Sequence, residues 1–336
     1  MHQDTEFPGI VARPIGSFST KADYHYQTLR SNVDLLKMIQ LGISLFKPDG
    51  SLPSANGPSF SRQNMIPAPY AWQFNFRFSL DGDMYAQDST AMLTKAGIDF
   101  DKHAKMGIEP EKFGSLLISS GLVLVDEVKW ISFHSGYDFA YLMKLMACKA
   151  MPDNETEFHG LLDKYFPNLF DIKFMLKHAG AKNTVNNDQP LSPEAQMIIQ
   201  KIMSKSGLQD IAEELGVARI GQAHQAGSDS LCTGQVYFEM RKKIFGGSID
   251  ETKYRQQIWG LNAQVPTTGG GRDYNTPNMN GATFYNQNGP STPQTGNVSL
   301  AAGAGQAHTP APPQNTHGMM TPGGFGNFTY PRDSRG

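Results

Sequence analysis

Cysteine is almost missing from this chain of 336 residues: Cys148 and Cys232 are the only two. Two distant thiols cannot build a disulfide framework or a thiolate zinc site, and they favour a reducing compartment. Both lie in helix-like patterns and are expected to be buried and inert. Long apolar runs are missing too; none approaches the roughly 18 residues of a membrane span. The first ten residues are mixed and acidic, which does not read as a signal peptide. Net charge is small, −2, so the surface is no general trap for polyanions and any nucleic-acid contact must be local. A protein of the cytoplasm and nucleus is expected.

Charge is scarcest beyond Trp259. Residues 263–336 hold thirteen of the 34 glycines and nine of the 21 prolines, and their only charged residues are Arg272, Asp273, Arg332, Asp333 and Arg335. Such a segment buries too little apolar surface to offset chain entropy. The division expected is a folded domain over 1–262 and a disordered Gly/Pro/Asn/Thr-rich tail over 263–336.

The folded part reads as α/β. Apolar 38–46 and alternating 72–78 predict strands, and 128–133 is another candidate. Residues 10–18, with Pro14 and Gly16, predict an irregular or edge segment. Helical spacing covers 23–37, 115–122, 138–149, 208–216 and 228–245, the last with Ser228 or Asp229 as N-cap. Strands first and helices later suggest a mixed sheet flanked by helices. Residues 50–69 and 179–194 read as mobile surface loops.

Acids carry the chemistry. In "MHQDTEFPGI", Asp4 and Glu6 share one face of a strand, roughly 7 Å apart. In "SFHSGYDFAYL", Asp138 opens a helix after a strand. In "IGQAHQAGSDSLCTG", His224 lies five residues before Asp229, which falls in the first turn of a helix. Taken singly these are ordinary; together and in this order they resemble the DEDDh exonuclease pattern. Four converging carboxylates cannot all stay ionised without cations. Hard oxygen ligands select Mg²⁺ or Mn²⁺. Two such ions about 4 Å apart clamp the attacking and leaving oxygens of a phosphodiester, and a neutral imidazole can take the proton of the attacking water. Residue chemistry alone thus gives a metal-dependent exonuclease.

Whole phrases add a family. "DTEFPGIVARPIG", "NVDLLKMIQLGISLF", "WQFNFRFSLDGDMYAQDS", "VKWISFHSGYDFAYL" and "ARIGQAHQAGSDSLCTG" closely resemble the Pop-two/Caf-one family of deadenylase subunits of the CCR-four–NOT complex, from about residue 4 to about 262. The resemblance implies an RNase H-like, DnaQ-type fold with a mixed central sheet. It implies 3′→5′ shortening of mRNA poly(A) tails with release of 5′-AMP, using two divalent cations. Carried over, Asp4 bridges both ions, Glu6 and Asp229 complete one metal site, Asp138 serves the second largely through water, and His224 is the general base. Implied partners are poly(A) RNA, the scaffold subunit, the CCR-four nuclease and BTG/Tob-type proteins.

Family members carry a longer N-terminus than the Met1, His2 and Gln3 that precede Asp4 here, so a truncated first strand with reduced stability and metal binding is expected. Nothing carries over to the tail or to the two loops. Phe7 and His134 are candidate substrate contacts, by base stacking and by a phosphate contact; a core phenylalanine and a structural histidine are their plainer roles. Asp171 reads as structural. Two other functions fit the same residues: a catalytically weak adaptor between scaffold and other nucleases, and a general 3′→5′ exonuclease.

Overall fold

The computed structural model describes residues 1–52, 70–205 and 207–261. The expected tail and most of the 50–69 loop lie outside these residues. Five strands form one mixed sheet: β1 (His2–Glu6), β2 (Gln40–Ser44), β3 (Ala71–Asn75), β4 (Lys129–Ser132) and β5 (Asn168–Asp171), in the order β3-β2-β1-β4-β5. β1 is central. It pairs antiparallel with β2, in a register that sets Asp4 against Gly42 and Glu6 against Gln40. Its other edge meets β4 in parallel, with His2 against Ile131. This is the mixed sheet expected from the sequence, although β5 arrives only after several helices.

Helices cover both faces, and the period-2 pleat assigns residues to each. On β4 and β5, Trp130 and Leu169 join one core with Tyr26, Leu29 and Val33 of α1 (Lys21–Leu35) and Phe139 of α5 (Gly136–Ala147). Their neighbours Ile131 and Phe170 join a second core with Met175 of α7 (Ile172–Lys182), Ile199 of α8 (Pro193–Met203), Ile211 of α9 (Leu208–Glu214) and Val236 of α10 (Ala226–Lys243). Four further helices, α2 (Gln87–Lys95), α3 (Phe100–Met106), α4 (Pro110–Ser119) and α6 (Glu155–Tyr165), the short α11 (Glu251–Tyr254) and a single 3-10 turn (Asn186–Asp188) complete the described elements.

Three expectations need correction. Cys232 is buried, and burial pushes its thiol up to about 11, but Cys148 is exposed at the left-handed C-cap of α5, where the chain leaves the helix. Residues 179–194 are no free loop: α7 runs into them, Val185 and Leu191 are buried, and the Asn186 amide donates to Phe245 O at 3.1 Å and Ser248 O at 2.8 Å. α10 starts at Ala226, with Gln225 as an N-cap that makes no side-chain cap bond, rather than at Ser228 or Asp229. The earlier start turns Asp229 inward.

No helix among the described residues is long and apolar enough to cross a membrane.

Candidate active site

Glycine at position 42 decides how the site closes. Gly42 faces α10 on the strand beside Asp4, and a Cβ there would lie 1.7 Å from Ala226 O. Without a side chain, the first turn of α10 lies directly on the sheet. That turn carries Asp229, whose carboxylate meets those of Asp4 and Glu6. All three side chains are buried, and each offers an oxygen within 4.8 Å of the others. This is the acidic meeting that the Asp-x-Glu and His-x4-Asp spacings predict.

Asp138 comes from the other face. It lies in the first turn of α5, where the helix dipole favours an acid. Its Oδ1 accepts from Thr5 N at 2.8 Å and Thr5 Oγ1 at 2.6 Å. Thr5 sits between Asp4 and Glu6, so the strand holds two acids on one face and a third through the residue between them. Behind Asp138, the Asp171 carboxylate caps α7 and also accepts backbone N–H bonds from His134, Ser135 and Trp259. That set of bonds suits the structural role expected of Asp171, because it ties the β4–α5 turn to α7 and the C-terminal segment.

The stretch between α9 and α10 supplies the remaining groups. His224 has φ +61°, is half-buried, and its backbone hydrogen-bonds the Asp229 carboxylate. The next residue, Gln225, sits in a cluster of amides. Gln40 Nε2 and Gln73 Nε2 donate to Gln225 Oε1 at 3.2 and 3.0 Å, and Gln225 Nε2 donates to Ala96 O at 2.7 Å. Gln40 Oε1 and Gln73 Oε1 accept from the Ala226 and Gly227 N–H groups at 3.2 and 3.0 Å. These bonds satisfy the open first turn of α10 and fix the position of His224 beside it. Neither Gln40 nor Gln225 stands out in the sequence as a functional residue.

Arg219, five residues before His224, ion-pairs with Asp229. Its Nε donates to Gln209 Oε1 at 2.6 Å. Sequence reasoning missed it, because an arginine in a loop carries no sign of which acid it will meet.

Electrostatics mark the cluster as unbalanced. Burial, then the charges of Asp229 and Asp138, push the Glu6 carboxyl well above the usual carboxylate range. Burial raises Asp138 to about 7 against the two Thr5 bonds. Burial also raises Asp229, against the pull of Arg219. Both Glu6 oxygens, Asp138 Oδ2 and Asp229 Oδ2 are buried without a hydrogen-bond partner among the described residues. Buried carboxylate oxygens left this way are costly, and hard oxygen donors of this kind fit a divalent cation.

Two substrate candidates take other positions. Phe7 is 2% exposed and stacks on Tyr137, with ring centroids 5.0 Å apart. It packs in the core, the plainer of its two expected roles, and alternation explains this: Phe7 shares the Thr5 face, turned towards α5. His134 lies in the β4–α5 turn with φ +59°, its N–H held by Asp171 and its Nδ1 3.3 Å from Lys173 Nζ. Burial holds its imidazole well below the usual range and lowers Lys173 to about 8. The structure gives His134 protein partners from α7.

Comparison with known proteins gives the chain a family. The CAF1 family ribonuclease profile matches residues 3–110 and 120–237. A poly(A) ribonuclease, pop2, of Schizosaccharomyces pombe is 48% identical over 258 residues, 77% of this chain and 66% of that protein, just under two thirds of its length. A probable CCR4-associated factor 1 homologue of Arabidopsis thaliana is 41% identical over 263 residues, 78% of this chain and 84% of its own. The structure of S. pombe Pop2p bound to Mg²⁺ and Mn²⁺ superposes with a TM-score of 0.64 at 46% identity, covering 77% of this chain and 89% of that one. Yeast CAF1, co-crystallised with the NOT1 MIF4G domain, gives 0.54 at 31% identity, covering 76% of this chain and 85% of the other. The profile runs through the strand, the two helices and the turn that carry Asp4, Glu6, Asp138, His224 and Asp229, and the chain belongs to the CAF1 ribonuclease family.

Proposed function

We propose that the chain is a metal-dependent 3′→5′ exoribonuclease that shortens poly(A) and releases 5′-AMP. The observation that carries this reading is the buried meeting of Asp4, Glu6 and Asp229, with ligand oxygens within 4.8 Å of one another and both Glu6 oxygens lacking a donor among the described residues. The relative named poly(A) ribonuclease, and the metal-bound Pop2p, support the substrate and the cation.

Asp4, Glu6 and Asp229 would hold one divalent ion and Asp138, with Asp4, a second. When bound, the ions supply charge neutralisation of the phosphodiester as its attacking and leaving oxygens develop charge. The protein's own part is positional. Thr5 aims Asp138, the amide cluster holds the His224 turn, and the His224 imidazole takes the proton of the attacking water. A MIF4G-type scaffold is the partner this reading implies, since yeast CAF1 crystallises with one.

The test is release of AMP from labelled oligo(A) with Mg²⁺ or Mn²⁺, beside Asp4→Asn and Asp229→Asn, which should each lose at least a hundredfold. Equal slow release by wild type and variants would favour the adaptor reading. Equal turnover of DNA and RNA oligomers would favour a general exonuclease, because 2′-OH contacts distinguish the sugars.

A further inference from the structure

The acidic cluster is not without a positive charge. Arg219 reaches it from the segment between α9 and α10, with its side chain 11% exposed and its guanidinium on the carboxylate of Asp229. Its charge also acts on Glu6 and Asp4. The other side of the guanidinium is anchored away from the cluster, through Nε to Gln209 on α9. Nη1, which makes the Asp229 contact, also lies 3.4 Å from Ser228 Oγ.

We infer that Arg219 is the internal counter-cation of this site: it holds Asp229 when no ion is bound and competes with a divalent cation for that carboxylate. One observation and one physical argument carry it. Glu6, Asp138 and Asp229 keep buried oxygens without donors even with Arg219 in place, so one guanidinium does not satisfy the site and an ion has ligands to gain. An ion among those oxygens would also stand close to the guanidinium, where like charges in a poorly screened interior repel strongly. Entry of the ion therefore weakens the Arg219–Asp229 pair, and the Gln209 anchor gives Arg219 a place to remain.

Arg219 is thus a positioning residue. It offsets the charge of Asp229 before loading, at the cost of metal affinity. Because Arg219 and His224 share one segment, exchange of the ion pair for an ion also changes what tethers the turn that carries His224.

This inference rests on the reading that the cluster takes a divalent ion, and the test separates the two. Mn²⁺ affinity is measured by electron paramagnetic resonance, and thermal melts are recorded in EDTA and in excess Mn²⁺, for wild type, Arg219→Gln and Arg219→Lys. Arg219→Gln should melt lower than wild type in EDTA, recover in Mn²⁺, and bind Mn²⁺ about tenfold more tightly, the size of one lost repulsive contact of roughly 1.4 kcal/mol. Arg219→Lys, which keeps the charge, should stay near wild type. Unchanged or weaker Mn²⁺ binding by Arg219→Gln overturns the inference. So does an equal loss of melting temperature with and without the ion, or failure to fold even in Mn²⁺, since each marks a role not confined to the unloaded site. If wild type itself binds no Mn²⁺, the metal reading falls first.

Discussion

Thr5 donates both its backbone N–H and its hydroxyl to the same oxygen of Asp138, at 2.8 and 2.6 Å. The pairing joins the central strand to the start of α5 and explains how Asp138 comes close enough for its charge to act on Glu6. Thr5→Val keeps the shape and the backbone bond but removes the hydroxyl. A buried hydrogen bond to a charged group contributes roughly 1.5–3 kcal/mol, and the loss should appear in urea unfolding. Thr5→Ser should recover most of it. A Thr5→Val protein as stable as wild type would show that the hydroxyl does not aim Asp138.

The response to pH follows from the raised carboxyl of Asp138, about 7 in the fold against about 3.9 in an unfolded chain. Between those values the folded protein holds a proton that the unfolded chain has released. The contribution of this group to stability therefore falls as pH rises from about 4 to about 7, and the deficit is complete above that. A divalent ion needs the ionised form, so its effect runs the other way. In EDTA, Asp138→Asn should flatten the fall in melting temperature between pH 5 and 8. The rise in melting temperature on adding Mn²⁺ should be small at pH 5 and large at pH 8; a rise independent of pH would contradict the assignment.

The His224 turn depends on amides that belong to three different elements. Gln40 is 2% exposed, and its Oε1 satisfies the buried Ala226 N–H. Gln40→Leu leaves that donor without an acceptor and should destabilise by about 1–3 kcal/mol. Gln225→Ala removes the other half. Because the two share partners, a double-mutant cycle should show coupling of about 0.5–3 kcal/mol. Oligo(A) turnover should fall in kcat more than it changes KM, since the turn holds the proposed base and not the substrate. Additive effects on stability would dismantle the network as an explanation.

Much of this was legible before any coordinates. An apolar run and alternation pointed to the strands up to β4, and the acids on β1 and in the first turns of α5 and α10 were identifiable because a strand's period of two and a helix's first turn constrain where a carboxylate points. The start of α10 was not, because its first turn is capped by glutamines from β2 and β3 rather than by its own Ser228 or Asp229. Arg219 was hidden for a similar reason: its partner is chosen by tertiary packing. Phe7, by contrast, was readable, since it continues the Thr5 face and so turns away from Asp4 and Glu6.

Gly42 carries a sequence signal that went unused. A glycine inside a strand often marks close approach of another backbone, and here Ala226 O occupies the space of the missing side chain. Gly42→Ala must push the first turn of α10 off the sheet, and Asp229 with it, away from Asp4. Overpacking at a contact between two backbones costs about 1–3 kcal/mol or more, because neither side is a flexible chain that can turn aside. The substitution should therefore lower stability and, in protein that still folds, cut the Mn²⁺-induced rise in melting temperature sharply. Substitution at Gly160, where an added Cβ meets nothing within 4 Å, is the control and should leave the rise intact. A Gly42→Ala protein with an undiminished Mn²⁺ response would mean that Asp229 reaches the cluster without this contact.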